Sequence, residues 1–405
     1  MTVATAAPAS YRRLLALPGM GALLVNTLLT RASIQMWEVA VILLAIQRFH
    51  SPTVAGVGVF LLIVPGLVMS PVSGALLDRY GRKRLMSIDF TVAAACLTAL
   101  GVLAASDHLP VWLLFAILAV GSSTSSLSFA GSRSLFPLIT PRELWDRVNA
   151  VDSLCYGIAQ VGGPALAGAL TAALGAPSAL GAAAIGYALS VLALTQVREP
   201  RLSRDSSGRV LVDAWRGLRY VIRNRTLRWL AVAFSIGNAG FGIMLVALPV
   251  IVYRMHGDAA IVGGLLALQG AVTIPAAIIA GRVRSLGRER QIIFAGQMLL
   301  SVAALGLLAP SLTLIALALA VSGISAGGAN VAMFSLRQRR TDPAWFGRAF
   351  AVSMSLNFIG QPIGSALSGP VLDVSITAAI LLAAALAFVS GLTVLRLVPA
   401  GDDES

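Results

Sequence analysis

A chain of 405 residues that is 57% hydrophobic and only 12% charged, with a mean hydropathy of +0.86, cannot present that balance to water, which excludes a soluble globular fold. A net charge of +13 would suggest a nucleic-acid partner in a soluble protein, but here the positions of the charges account for it and no nucleic acid is expected. No GxxxxGK[ST], HExxH or GxSxG run occurs, so neither direct ATP drive nor these hydrolytic chemistries are expected, and the reading is of a non-enzyme.

Apolar runs long enough to cross a bilayer, roughly 20 residues each, recur about twelve times, at 18–46, 53–77, 85–106, 110–136, 149–173, 176–196, 228–253, 259–281, 290–309, 311–334, 349–371 and 374–397. Gly, Ala and Pro are scattered through them without period-two alternation, so helices are expected rather than a lipid-facing barrel. Residues 1–17 read as a short polar lead into a full span, not as a cleavable signal, and the first span is expected to direct insertion. With the N-terminus inside, 27 of the 30 Lys and Arg fall on one side. That asymmetry predicts a multi-pass protein of the cytoplasmic membrane with both termini in the cytoplasm.

The first span contains TRASIQMWEVAVILL at 30–44, with Arg31, Gln35 and Glu38 spaced i, i+4, i+7 on one helical face. A charge at the bilayer centre costs about 2.5–3.5 kcal/mol on insertion scales, so intramembrane charges mark function by default. Seven residues rise about 10 Å, so Arg31 and Glu38 are expected to interact through Gln35, water or another helix. Glu38 is the candidate for proton exchange and Arg31 its electrostatic partner, while Met36 and Trp37 suit either an apolar ligand surface or lipid-facing packing.

After the second span comes GALLDRYGRKR at 74–84. Gly74 permits close packing, Asp78 supplies an acceptor at the membrane edge, and Gly81 allows a tight turn, while Arg79, Arg82 and Lys83 are suited to headgroups. The run resembles the loop signature of the major facilitator superfamily, found between its second and third helices. That resemblance implies a gating latch in which Asp78 meets a nearby basic residue, and Arg133 is the candidate. The second-half counterpart, AGRVRSLGRER at 280–290, carries Arg284 where Asp78 would be, so the latch is expected on one side only. RSLFPLITPRELWDRVNAVDSL at 133–154 is similar to the branch of macrolide-type and siderophore-type exporters. The arginine that many proton-driven exporters of the family carry in the fourth helix has no counterpart in 112–129.

Span five contains GIAQVGGPALAGAL at 157–170, resembling the Gly-Pro motif of exporters in the same superfamily. Gly163, Pro164 and Gly168 match, and Ala167 replaces one of the usual paired glycines. Pro164 withholds a backbone donor and the small residues admit a neighbouring helix.

The longest basic loop follows. In its section 210–222, Leu211, Ala214, Trp215, Leu218 and Val221 fall on one face and Arg216, Arg219 and Arg223 on another, the pattern of a helix lying among membrane lipids at the inner headgroups. Beyond it, Asn238, Gln269, Asn330, Asn357 and Gln361 are the polar candidates of the second half. His50, His108 and His256 map to short outer loops, where no metal is expected, and Cys96 and Cys155 lie within spans as packing residues.

RFHSPTVAGVG at 48–58 and RMHGDAAIVGG at 254–264 share Arg, His and the final Gly at an offset of 206, which also pairs Gly81 with Gly287 and Arg82 with Arg288. The organisation predicted is an all-α membrane protein of twelve helices. It comprises a six-helix bundle over 1–196, a basic linker over 197–227, a second bundle over 228–398 and a tail over 399–405. Parallel halves with a site at midplane are a transporter layout, and with the resemblance they imply alternating access. The expectation is a monomeric secondary transporter without cofactors, exchanging protons for a lipophilic drug or small metabolite. The alternatives are a uniporter or importer, or a sensor or scaffold that keeps the fold.

Overall fold

The computed structural model describes residues 10–199, 210–255, 257–282, 286–342 and 345–399. Within them, the side chains of 74, 75, 78, 146, 210–214, 346–348, 350 and 351 lie outside the description. The described residues form helices and no strands: α1 (Tyr11–Leu15), α2 (Met20–Phe49), α3 (Pro52–Tyr80), α4 (Arg82–Ala105), α5 (Val111–Ser123), α6 (Ser125–Ile139), α7 (Trp145–Leu174), α8 (Ala176–Thr195), α9 (Val210–Arg223), α10 (Arg225–Met255), α11 (Ala259–Arg282), α12 (Glu289–Gly306), α13 (Leu312–Arg339), α14 (Phe346–Phe358), α15 (Gly360–Val374) and α16 (Ile376–Leu397).

Ten helical segments among the described residues are long and apolar enough to cross a membrane, with α5 and α6 forming one of them. The short turns between helices carry local start signals. The Ser51 hydroxyl accepts from Val54 N at 3.2 Å with Pro52 at the first helical position, and Ser375 accepts from Ala378 N at 3.2 Å. Gly81 and Gly287, the pair related by the 206-residue offset, both take positive φ, 90° and 76°.

Two runs read from sequence as single helices are each divided. The span at 110–136 breaks at Thr124 between α5 and α6, and the span at 349–371 breaks at Ile359 between α14 and α15. The first break sits in the hydroxyl-rich run 121–128, whose side chains compete for backbone groups. Thr124 Oγ1 donates at 2.6 Å to Asp89 Oδ1 on α4, a contact that local sequence does not reveal.

Helices α2 to α8 pack chiefly on one another, as do α10 to α16, and the two sets meet along α7 with α11 and α3 with α15. The contacts are tightest at the end away from the arginine clusters. Thr53 Oγ1 donates to Asp373 Oδ2 at 2.6 Å, and Gln47 Nε2 donates to Tyr253 OH at 2.6 Å. A side chain at Gly56 would fall on the carbonyl of Ser365. Toward the basic end this cover is lost. Val68, Met69 and Val72 on α3 are 68%, 40% and 38% exposed, and Ile279 on α11 is 62% exposed. The hydrogen bonds that join the halves at their ends thus lie away from the arginine clusters.

At Gly168 a β-carbon would lie 2.6 Å from the Ala259 carbonyl and 2.7 Å from Gly263 Cα, backbone atoms that cannot turn aside. Overpacking of about 1–3 kcal/mol at this joint corresponds to a bias of roughly tenfold to hundredfold. Gly168→Val is expected to part α7 from α11. The check is maleimide labelling of a Val262→Cys reporter, buried when the joint is closed, which should accelerate by about tenfold or more on the same scale.

Candidate functional site

Intramembrane polarity concentrates where α2 meets α7. Arg31 Nη2 donates to both carboxylate oxygens of Asp152, at 2.7 and 2.9 Å, and Nη1 donates to the Asp152 carbonyl at 2.7 Å. Its guanidinium also lies over the Tyr156 ring, 5.4 Å from the centroid. Asp152 and Tyr156 are one turn apart on α7 and share a face. The two charged side chains are only 18% and 23% exposed, and charge-assisted bonds of this kind are roughly twice as strong as neutral ones.

Sequence spacing links Arg31 to Glu38 only through an intermediary, and in the structure the direct partner of Arg31 is Asp152. No ion pair joins Arg31 to Glu38, because the axial separation within α2 leaves each to find its partner on a different helix. Glu38 Oε1 instead accepts from Gln361 Nε2 at 2.9 Å, a bond between α2 and α15 and thus between the halves. Among the described residues no cation pairs with Glu38. Met36 and Trp37 are 5% and 3% exposed. Trp37 packs edge-on to Tyr187 at 6.2 Å, so both belong to the core and not to a ligand surface.

The remaining polar candidates are distributed. Asn238 Nδ2 donates to the Asn357 carbonyl at 2.8 Å, which places them together between α10 and α14. Asn357 itself is 1% exposed and its Oδ1 has no partner among the described residues. Gln269 Nε2 donates to Ser322 Oγ at 2.8 Å, tying α11 to α13. Asn330 is exposed on α13 and no bond links it to the others. Gln35 lies against α7, since a β-carbon at Gly163 would meet Gln35 Cβ at 2.5 Å. Pro164 and Gly168 face α11 at Gly263. The motif in span five thus makes α7 the joint between the charged helix α2 and the opposite half.

At the basic end, Gly81 turns the chain from α3 into α4. The Glu199 carboxylate accepts from the backbone N–H of Arg82 at 2.9 Å and of Lys83 at 3.0 Å, capping the N-terminus of α4. Arg82 Nε donates to Ser134 Oγ at 2.9 Å, and Lys83 Nζ donates to the carbonyls of Thr195 and Val197 at 2.8 and 2.9 Å. The donors expected to sit in headgroups are therefore committed to the protein at Arg82 and Lys83, and they tie the turn to the exit of α8. Arg79 stays exposed over the Tyr80 ring at 5.3 Å, and Arg133 stays exposed over Phe129 at 4.8 Å. The Gly74 and Asp78 side chains, Arg284 and His256 lie outside the described residues.

The family model of the Major Facilitator Superfamily matches residues 23–295 and 240–405. The chain belongs to that superfamily. It is a membrane transporter rather than an enzyme. The MFS-type transporter y4rN of Sinorhizobium fredii is 35% identical over 397 residues, covering 96% of this chain and 97% of the relative. The multidrug efflux pump Tap of Mycobacterium tuberculosis is 26% identical, over 93% of this chain and 92% of its own. Macrolide efflux protein A of Streptococcus pyogenes is 22% identical, over 84% and 85%. The nucleoside transporter NupG superposes with a TM-score of 0.74 at 12% identity, covering 93% of this chain and 99% of that one. A bacterial homologue of ferroportin in an inward-facing state gives 0.68 at 16%, covering 96% and 99%. These structures share the fold.

Two carboxylates of this superfamily member escaped the sequence reading. Asp152 stands near the start of α7 among polar residues, where it reads as an interfacial group. Asp89, 2% exposed on α4, lies inside the apolar run 85–106 and carries the same signal as Glu38, an acid where hydrocarbon is expected.

Proposed function

We propose that this chain is a proton-coupled exporter of a lipophilic drug or small metabolite, working by alternating access in the cytoplasmic membrane as a monomer. In this reading it has twelve spans in two six-helix halves, with both termini in the cytoplasm. The observation that carries the reading is the bond from Gln361 to Glu38, which places a titratable carboxylate on the seam between the halves. An ionised carboxylate only accepts hydrogen bonds, and a protonated one also donates. Bonds to the charged form are about twice as strong as neutral ones, so protonation of Glu38 weakens its tie to α15 and changes how the halves hold together. Bonds across the seam at the end away from the arginines, with apolar side chains of α3 exposed toward the basic end, fit a cavity that opens to the cytoplasm under the positive-inside rule. Export is supported by the relatives Tap and macrolide efflux protein A and by the small-residue joint on α7. The scarcity of polar groups around Glu38 suits an apolar substrate.

The test is flux in proteoliposomes with the pH gradient imposed in each direction. Substrate movement opposite to the proton gradient, reversing when the gradient is reversed, is expected. Movement down the substrate gradient with no response to pH would make the protein a uniporter instead.

A further inference from the structure

The sequence pattern of α9 predicts a helix whose apolar face meets lipid, and the structure divides that face. Val221 is 1% exposed and packs with Leu227 and Ala349. Tyr220 stacks on Trp345 at 5.2 Å with an interplanar angle of 11°, and its hydroxyl accepts from Asp342 N at 3.0 Å. Asn224 caps α10 through Leu227 N at 2.9 Å and donates to the Arg340 carbonyl at 3.1 Å. One face of α9 is therefore fixed to the basic end of the second half, and the opposite stripe has a set orientation.

That stripe is Trp215, Leu218, Arg219, Ile222 and Arg223, which line a hollow of about 250 Å³. Trp215 is 66% and Ile222 is 50% exposed, and Arg219 and Arg223 are exposed beside them. The spacing i, i+3, i+4, i+7, i+8 keeps all five on one side. An indole and an aliphatic side chain interleaved with guanidinium groups, at the end of the bundle where the arginines collect, match the boundary between acyl chains and phosphates. Guanidinium forks pair with phosphate oxygens, and the apolar members face the glycerol and first methylenes. Helix α9 also touches α3 of the first half.

We propose that this stripe of α9 is a binding site for the headgroup of an anionic phospholipid of the membrane leaflet at the basic end. The proposal requires only that α9 lies at the membrane surface. It is independent of the direction and coupling of transport.

The test uses the full-length protein in neutral detergent, titrated with phosphatidylglycerol, phosphatidylcholine or soluble glycerol phosphate, with bound ligand counted by native mass spectrometry. Phosphatidylglycerol should bind about tenfold or more tightly than either alternative, since each arginine near the headgroups contributes about 1 kcal/mol toward anionic lipid. Arg219→Ala with Arg223→Ala should lose that preference at an unchanged melting temperature, and Arg219→Gln with Arg223→Gln serves if the alanine variant does not fold. Equal binding of phosphatidylglycerol to variant and parent, or equal binding of phosphatidylcholine, would overturn the assignment. Glycerol phosphate bound as well as the lipid would make it a soluble phosphate site, which also overturns it.

Discussion

Glu38→Gln is expected to abolish accumulation driven by a pH gradient while leaving downhill exchange of the same substrate close to that of the parent. The glutamine occupies nearly the same volume and still offers an acceptor to Gln361 Nε2, so the contact between α2 and α15 survives without its charge. What disappears is the ability of the seam to change state with a proton. A carboxylate that carries the coupling supplies a driving force rather than a contact, and the uphill rate should fall to the level of protein-free liposomes. The pH dependence of exchange should flatten in the same variant. Uphill accumulation in Glu38→Gln at the parental rate would remove Glu38 from the coupling scheme. Asp89, a carboxylate buried within the first half, is the natural control. Its hydroxyl partner Thr124 belongs to the same half, so Asp89→Asn disturbs the α5–α6 break without touching the seam.

What the sequence made legible follows from the kind of information each feature carries. The spans of α2, α3, α7 and α10 are visible because twenty apolar residues in a row have few alternatives to crossing a bilayer. The turn at Gly81 is visible because a glycine between basic residues announces both its backbone and its side of the membrane. Glu38 is visible because an acid between apolar residues is costly wherever its partner is. Its partner was not, since Gln361 lies 323 residues away and an amide in a span gives no hint of what it meets. The break at Thr124 is hidden for the same reason, as its hydroxyl is held from α4. On α9 the amphipathic pattern is plain, yet Val221 and Trp215 look alike as apolar residues. Only the stacking of Tyr220 on Trp345 decides which of them faces protein.

The assignment of Arg31 to Asp152 makes a prediction opposite to the one that the spacing along α2 suggests. Removing one member of a buried ion pair leaves the other charge without compensation, a loss of about 3–5 kcal/mol in fully buried cases. With side chains about one-fifth exposed, a smaller loss of roughly 2 kcal/mol is expected for Arg31→Met, since partial hydration of Asp152 offsets part of the penalty. Adding Asp152→Asn to Arg31→Met should recover most of that stability, because the orphaned charge is gone. Adding Glu38→Gln to Arg31→Met should recover none of it. Thermal unfolding of these three variants, together with Asp152→Asn and Glu38→Gln alone, in one detergent gives the coupling energy between two positions 121 residues apart. If Glu38→Gln rescued Arg31→Met and Asp152→Asn did not, Arg31 would belong to Glu38. The two charges of α2 would then form one device. The observed geometry instead separates them. Arg31 fastens α2 to α7 within the first half, and Glu38 bonds across the seam to Gln361 with no cation paired to it among the described residues.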